Sequence, residues 1–167
     1  MHRIIHADAL FRLGPEQTWD LVFGNRLQQF VELSPSIVAV EDYEMRADGT
    51  PRYTMAFRVG PITIRRISDY SVFDRPNRTV NAVLGGPFGG TYETVFGPEG
   101  PDTRLSYRWR IEPNTPAARV LLPVLAPLLA RALRKDLRAI ASAARGTPQD
   151  ETLHCSMTEL HVTAATF

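Results

Sequence analysis

Between Ile37 and Pro113 the sequence passes through six strand-like segments with nothing but turn residues between them. IVAVEDYEMR gives way at Asp48-Gly49 to PRYTMAFRVG, and Gly60-Pro61 leads into ITIRRISDYSVFD. Arg75-Pro76-Asn77 then introduces RTVNAVLGG, Gly85-Gly86-Pro87 introduces FGGTYETVF, and GPEGPD introduces TRLSYRWRIEP. Each segment is bounded at hairpin distance. Joining two parallel strands takes a crossover of about a dozen residues or more, and no interval here is long enough. The segments therefore predict an antiparallel meander.

The flanks narrow the choice further. From Arg3 to Leu13, RIIHADALFRL alternates, with Ile5, Ala7, Ala9, Phe11 and Leu13 on one side and His6, Asp8 and Arg12 on the other. That is the pattern of a half-buried strand. Gly14-Pro15-Glu16-Gln17 breaks it, and apolar residues from Trp19 to Leu33 recur at helical spacing around Gly24-Asn25, predicting two short helices with a bend. Thr115 is placed to cap a last helix that Pro116 opens, and Gly146 with Pro148 stops it. A chain of 167 residues on this plan reads as one domain over 1–146. Residues 147–167 read as a C-terminal tail, with disorder or a short strand from LHVTAATF as the alternatives.

The order strand, two short helices, six strands and long helix resembles the START-related superfamily, which includes polyketide cyclase/dehydratase-like proteins, coenzyme-Q-binding proteins and plant pathogenesis-related allergens. The strings GPEQTWDLV, GGTYETVFGPEGPDTRLSYRW and LRKDLRAIA carry the likeness locally, which spans about residues 3 to 145. The resemblance implies an α+β, helix-grip fold. A strongly curved antiparallel sheet of about seven strands (β-α-α-β6-α) would wrap the long C-terminal helix, with an apolar cavity between them.

The last helix includes ARVLLPVLAPLLARALRKDLRAI, uncharged between Arg119 and Arg131. A helix gripped by a curved sheet meets apolar surface over more of its circumference than one on a flat sheet. Leu121, Leu125, Leu128, Leu129, Ala132, Leu137 and Ile140 are expected to form that wide face. Pro123 and Pro127 stand four apart on one side, and each removes a backbone hydrogen bond, so the first turns are expected to be bent or loosely held. A gate to the cavity and a core helix with an irregular start are both open readings. No uninterrupted apolar run approaches the ~20 residues of a spanning helix, so stable membrane insertion is not expected. Arg131, Arg134, Lys135 and Arg138 leave weak peripheral contact with an anionic surface open.

Strand alternation sorts the remaining candidates. On the last strand Arg104, Arg108 and Arg110 interleave with Leu105, Tyr107, Trp109 and Ile111, which sends the arginines to solvent and Tyr107 and Trp109 inward. Tyr53, Met55, Phe57 and Val59 share a face suited to a pocket wall, and Phe11 joins them from the first strand. In ITIRRISDY, Arg66 falls on the inward face with Ser68 and Tyr70. A buried arginine needs an anionic or hydrogen-bonding partner, either a ligand oxygen or a structural Glu41 or Glu93. The expected ligand contacts are Phe11, Tyr53, Met55, Phe57, Arg66, Tyr70, Tyr107, Trp109, Leu125 and Leu129.

Other chemistries find little support. A net charge of +1 gives no overall field to gather nucleic acid or anionic lipid. Cys155 is the single cysteine and MHRIIHADAL is no signal peptide, so a cytoplasmic location is the expectation. His6 with Asp8, and His154 with Cys155 and His161, lack metal-ligand spacing, and there is no phosphate loop, dinucleotide fingerprint or nucleophile elbow. No cofactor is expected. Binding of a small hydrophobic molecule (lipid, quinone, polyketide or aromatic metabolite) is the leading reading. A polyketide cyclase/dehydratase-type enzyme using the same cavity is the alternative.

Overall fold

The computed structural model describes residues 2–145 and 162–166. In chain order the elements are β1 (Arg3–Phe11), α1 (Pro15–Phe23), α2 (Gln28–Leu33), β2 (Ile37–Met45), β3 (Pro51–Val59), β4 (Ile62–Asp74), β5 (Arg78–Leu84), β6 (Phe88–Glu99), β7 (Asp102–Pro113), α3 (Pro116–Arg145) and β8 (Val162–Thr166). The strands form one antiparallel sheet in the order β2-β3-β4-β5-β6-β7-β1-β8. The predicted meander is present, with β1 closing onto β7. Within the tail, Val162–Thr166 pairs with β1, while the remaining residues from 146 to 161, including His154, Cys155 and His161, lie outside the described residues.

Local chemistry explains where elements begin. Pro15 opens α1, the Gln17 side chain accepts from the Gly14 N–H at 3.3 Å, and Thr18 Oγ1 donates to the Gly14 carbonyl. Between α1 and α2 the predicted bend is a left-handed turn, with φ of 45°, 55° and 62° at Asn25, Arg26 and Leu27. Three consecutive non-glycine residues in this region carry strain of about 1–2 kcal/mol each. Burial of Leu27 beneath the turn, worth about 1.5–3 kcal/mol, offsets part of it. Thr115 Oγ1 accepts from the Ala118 N–H at 3.1 Å, capping α3 as expected.

Sheet curvature has identifiable sources. Register shifts interrupt β2 between Glu41 and Glu44, where Asp42 takes φ 54°, and β4 between Tyr70 and Val72. Gly89 and Gly90 lie in β6, between β5 and β7. At Gly90, with φ +120°, a Cβ would come within 1.8 Å of the Arg110 carbonyl oxygen. Only glycine lets the two backbones approach so closely.

The curved sheet packs on α3 through β1, β8, β7 and β3. Ile5, Phe57, Trp109 and Ile111 meet Ala118, Leu122, Ala126 and Leu129, while Phe11, Trp19, Leu105 and Tyr107 meet Leu137 and Ile140. This corrects the expected helix face. Leu129, Leu137 and Ile140 are buried as anticipated, but Leu121 is 51% and Leu128 44% exposed, and Leu122 is inside. The bound surface is narrower because the sheet reaches only one side of the helix's first half. Pro116–Ala143 is long and apolar enough to span a bilayer by length and composition alone, but it is the helix on which the sheet closes. It also runs unbroken through Pro123 and Pro127, both on the exposed side.

Candidate functional site

The concave face leaves a cavity of about 80 Å³ between the sheet and the middle of α3, capped by α1, α2 and the start of β2. A water takes up about 10–15 Å³ on this scale, so the space suits roughly five to eight waters or one small ring. Strand register builds its floor. Tyr70 of β4, Asn81 of β5, Tyr92 of β6 and Trp109 of β7 stand opposite one another in succession, a row crossing four strands. Beside it, Tyr53 faces Ser68 and Met55 faces Arg66 across the β3–β4 pair, and Thr94 faces Tyr107. Leu129, Ala132, Leu133 and Asp136 supply the α3 wall.

Arg66 is the unusual member. Its guanidinium carbon lies 4.5 Å from the Trp109 ring centroid and 4.6 Å from that of Phe57, so the cation sits against two aromatic faces. Nη2 reaches only the Met55 sulfur, at 4.0 Å, and Nε and Nη1 are out of solvent with no hydrogen-bond partner. The structural acids considered from the sequence are engaged elsewhere, Glu41 with Arg65 at 3.5 Å and Glu93 with Arg78 at 2.8 Å. Burial lowers the pKa of Arg66, and the surrounding tyrosines Tyr92, Tyr53 and Tyr70 partly oppose that shift. A guanidinium stays protonated through such a change.

The phenols form a second group. Tyr53 and Tyr70 share a hydrogen bond of 2.7 Å, while Tyr107 Oη, Trp109 Nε1 and Asn81 Oδ1 are buried without partners. Burial pushes Tyr53 up to about 12 and raises Tyr70, Tyr92 and Tyr107 as well. All four are therefore neutral hydroxyls near neutral pH, able to donate rather than to act as bases.

One carboxylate lines the cavity. Asp136, 6% exposed, accepts from the Ser36 N–H at 2.9 Å and from the Ser36 hydroxyl. Burial raises its pKa, and the two bonds from Ser36 work in the opposite direction. The cavity thus combines an unpaired cation, a row of neutral donors and a carboxyl group whose proton affinity is increased.

Eight of the ten residues expected from the sequence line this space: Tyr53, Met55, Phe57, Arg66, Tyr70, Tyr107, Trp109 and Leu129. Phe11 does not. It is fully buried in the solid core against Trp19, Leu105 and Leu137, because β1 runs beside β7 away from the cavity. Leu125 is half-buried against the upper core, one turn too early to reach the space. The α3 lining begins at Leu129, so Pro123 and Pro127 do not line the cavity. Sequence reasoning missed Asn81, Tyr92 and Thr94, although the parity of β5 and β6 carried the signal. It also missed Asp136, which follows Leu129 and Leu133 at helical spacing, and Ser36, for which no local signal exists. Among the described residues no His, Cys, Asp and Glu cluster could hold a metal ion.

No family model matches this sequence, and no curated protein is detectably similar to it. Solved structures are similar in fold. The Zhui aromatase/cyclase from Streptomyces sp. R1128 gives a TM-score of 0.72 at 12% identity, covering 89% of this chain and 98% of that one. The di-domain ARO/CYC BexL from the BE-7585A biosynthetic pathway gives 0.72 at 18% identity, over 88% of this chain and 51% of that one. A START superfamily protein from Mycobacterium smegmatis gives 0.62 at 14%, over 81% and 97%. At such identities the likeness establishes the fold alone, and it is the helix-grip fold expected from the order of elements.

Proposed function

We propose that this helix-grip chain binds a small molecule with an apolar or aromatic body and one anionic or carbonyl oxygen, held in the cavity between the sheet and α3. The observation that carries this reading is Arg66, a guanidinium stacked on Phe57 and Trp109 with two nitrogens lacking any hydrogen-bond partner. Leaving such donors unmade is unfavourable by about 1–3 kcal/mol each, which a ligand oxygen would relieve. The rings of Tyr92, Trp109 and Phe57 supply the apolar contact. Tyr53, Tyr70 and Tyr107 supply neutral donors for a second oxygen. The ligand-binding residues in this reading are Tyr53, Met55, Phe57, Arg66, Tyr70, Tyr107, Trp109 and Leu129, joined by Tyr92, Asn81 and Asp136.

Thermal-shift and calorimetric titration with benzoate and with toluene test it, alongside native mass spectrometry of gently purified protein. Benzoate is expected to bind the wild type and to lose at least about tenfold in affinity in Arg66→Met, whereas toluene binding changes little. Equal affinity for both probes in wild type and variant overturns the role of Arg66. No retained or added ligand of any kind overturns the binding reading.

A second reading, cyclisation or dehydration of a carbonyl-rich substrate, is favoured by Asp136. It is a buried carboxyl group of raised pKa in the same cavity as a cation, a pairing suited to moving a proton while Arg66 stabilises the developing oxyanion. The similar structures named as aromatase/cyclases make this the reaction class to assay first. Turnover abolished in both Asp136→Asn and Arg66→Met, with folding retained, supports the enzyme. Binding without turnover on any poly-β-ketone analogue leaves the protein a carrier. The cavity's volume of about 80 Å³ holds less than a polyketide chain, so such a substrate requires the walls to part.

A further inference from the structure

The outer face of α3 carries an ordered stripe that the cavity does not use. Ala117, Leu121, Val124 and Leu128 follow one another at helical spacing, with Val120 beside them. Val120 is 78%, Val124 65%, Leu121 51% and Leu128 44% exposed, so four large aliphatic side chains on successive turns face away from the protein. The same line continues into Arg131, Lys135 and Arg138, all exposed. Among the described residues, no salt bridge engages these three. The only acidic residue of the helix, Asp136, is buried on the opposite side and bonded to Ser36. The stripe is therefore apolar for about 17 Å and purely cationic for the next 10 Å or so.

We propose that this face docks on an anionic phospholipid membrane. An aliphatic patch on a helix, with cations as its only charges, matches the two parts of a lipid interface. Val120, Leu121, Val124 and Leu128 enter the boundary of headgroups and acyl chains, and Arg131, Lys135 and Arg138 lie on the phosphates. A second copy of the chain fits less well. Four aliphatic side chains expose at most a few hundred Å², below the roughly 800 Å² per partner of a stable interface, and the cationic halves of two such helices repel. A membrane needs neither a large complementary surface nor an acidic partner helix. The bilayer-spanning alternative is excluded by the packing of the other side of α3 on the sheet through Leu122, Ala126, Leu129 and Leu137. This proposal does not rest on the cavity reading.

The test is co-sedimentation of the full chain with vesicles of phosphatidylcholine alone and of phosphatidylcholine mixed with phosphatidylglycerol. The protein is expected to pellet with the mixed vesicles and to be released at about 1 M salt, where the screening length falls from about 10 Å to about 3 Å. The double variants Val124→Ser/Leu128→Ser and Arg131→Glu/Lys135→Glu are each expected to weaken partitioning at least about tenfold, with melting temperatures unchanged because all four residues are exposed. Arg66→Met is expected to pellet like the wild type. Absence of pelleting, equal binding to neutral vesicles, or indifference to either double variant overturns the proposal. So does a dimer by light scattering that Val124→Ser/Leu128→Ser dissociates while vesicles remain unbound.

Discussion

Replacing Arg66 by methionine should make the empty protein more stable, not less. Nε and Nη1 are buried without partners, and relief of two such donors favours the variant by about 2–6 kcal/mol. Against this stands the loss of two cation–ring contacts, to Phe57 at 4.6 Å and Trp109 at 4.5 Å, together worth about 1–4 kcal/mol. Methionine ends near the position of Nε, so its thioether replaces the apolar stem of Arg66 and leaves the guanidinium's place between the two rings empty. The centre of these ranges is a net gain of about 1–2 kcal/mol. For a chain of this size each kcal/mol moves Tm by about 2–4 °C. Urea unfolding with unchanged m-value, backed by calorimetry, reads the difference directly. Benzoate should raise the Tm of the wild type and leave that of the variant in place. A variant destabilised by about 2 kcal/mol or more would refute the reasoning, since it would make Arg66 a satisfied structural cation with no unmet bonding for a ligand to fill.

Three further outcomes follow from the packing. Leu122→Ala should lose about 2–5 kcal/mol because Leu122 is fully buried against the sheet, whereas Val124→Ala, at 65% exposure, should change stability by less than about 0.5 kcal/mol; denaturation of the pair reports which side of α3 the sheet grips. Gly90→Ala should fail to accumulate as soluble protein, since its Cβ meets the Arg110 carbonyl at 1.8 Å, while Gly100→Ala, with φ +65° and open space around it, should cost about 1 kcal/mol and fold. Asp136 has a folded-state pKa raised above 3.8 by burial, so its contribution to stability is fully present below that value and is lost as pH rises through the folded pKa. The difference in unfolding free energy between wild type and Asp136→Asn should accordingly fall as pH rises from below 3.8 through the raised folded-state pKa, and a flat or rising difference counts against a raised pKa.

Much of this was legible in the sequence, because alternation in a strand is dictated by the backbone itself. Arg104, Arg108 and Arg110 face solvent and Tyr107 and Trp109 face inward for that reason alone, and the same parity turns Arg66 into the concave side between Tyr53 and Tyr70. Thr115 and Pro116 start α3 through local capping that needs no tertiary partner. Turn residues spaced too closely for crossovers settled the antiparallel meander. Contacts between distant segments were another matter. Ser36 meets Asp136 across 100 positions of sequence, and Glu41 and Glu93 go to Arg65 and Arg78 because strand parity puts all four on the face away from Arg66. Phe11 and Leu125 have the composition of a pocket wall and the wrong place for one. The helix makes the same point: Leu121 and Leu122 are identical residues one position apart, yet one is half exposed and the other fully buried. Periodicity defines how many faces a helix has, but only the reach and curvature of the sheet decide which of them leaves water.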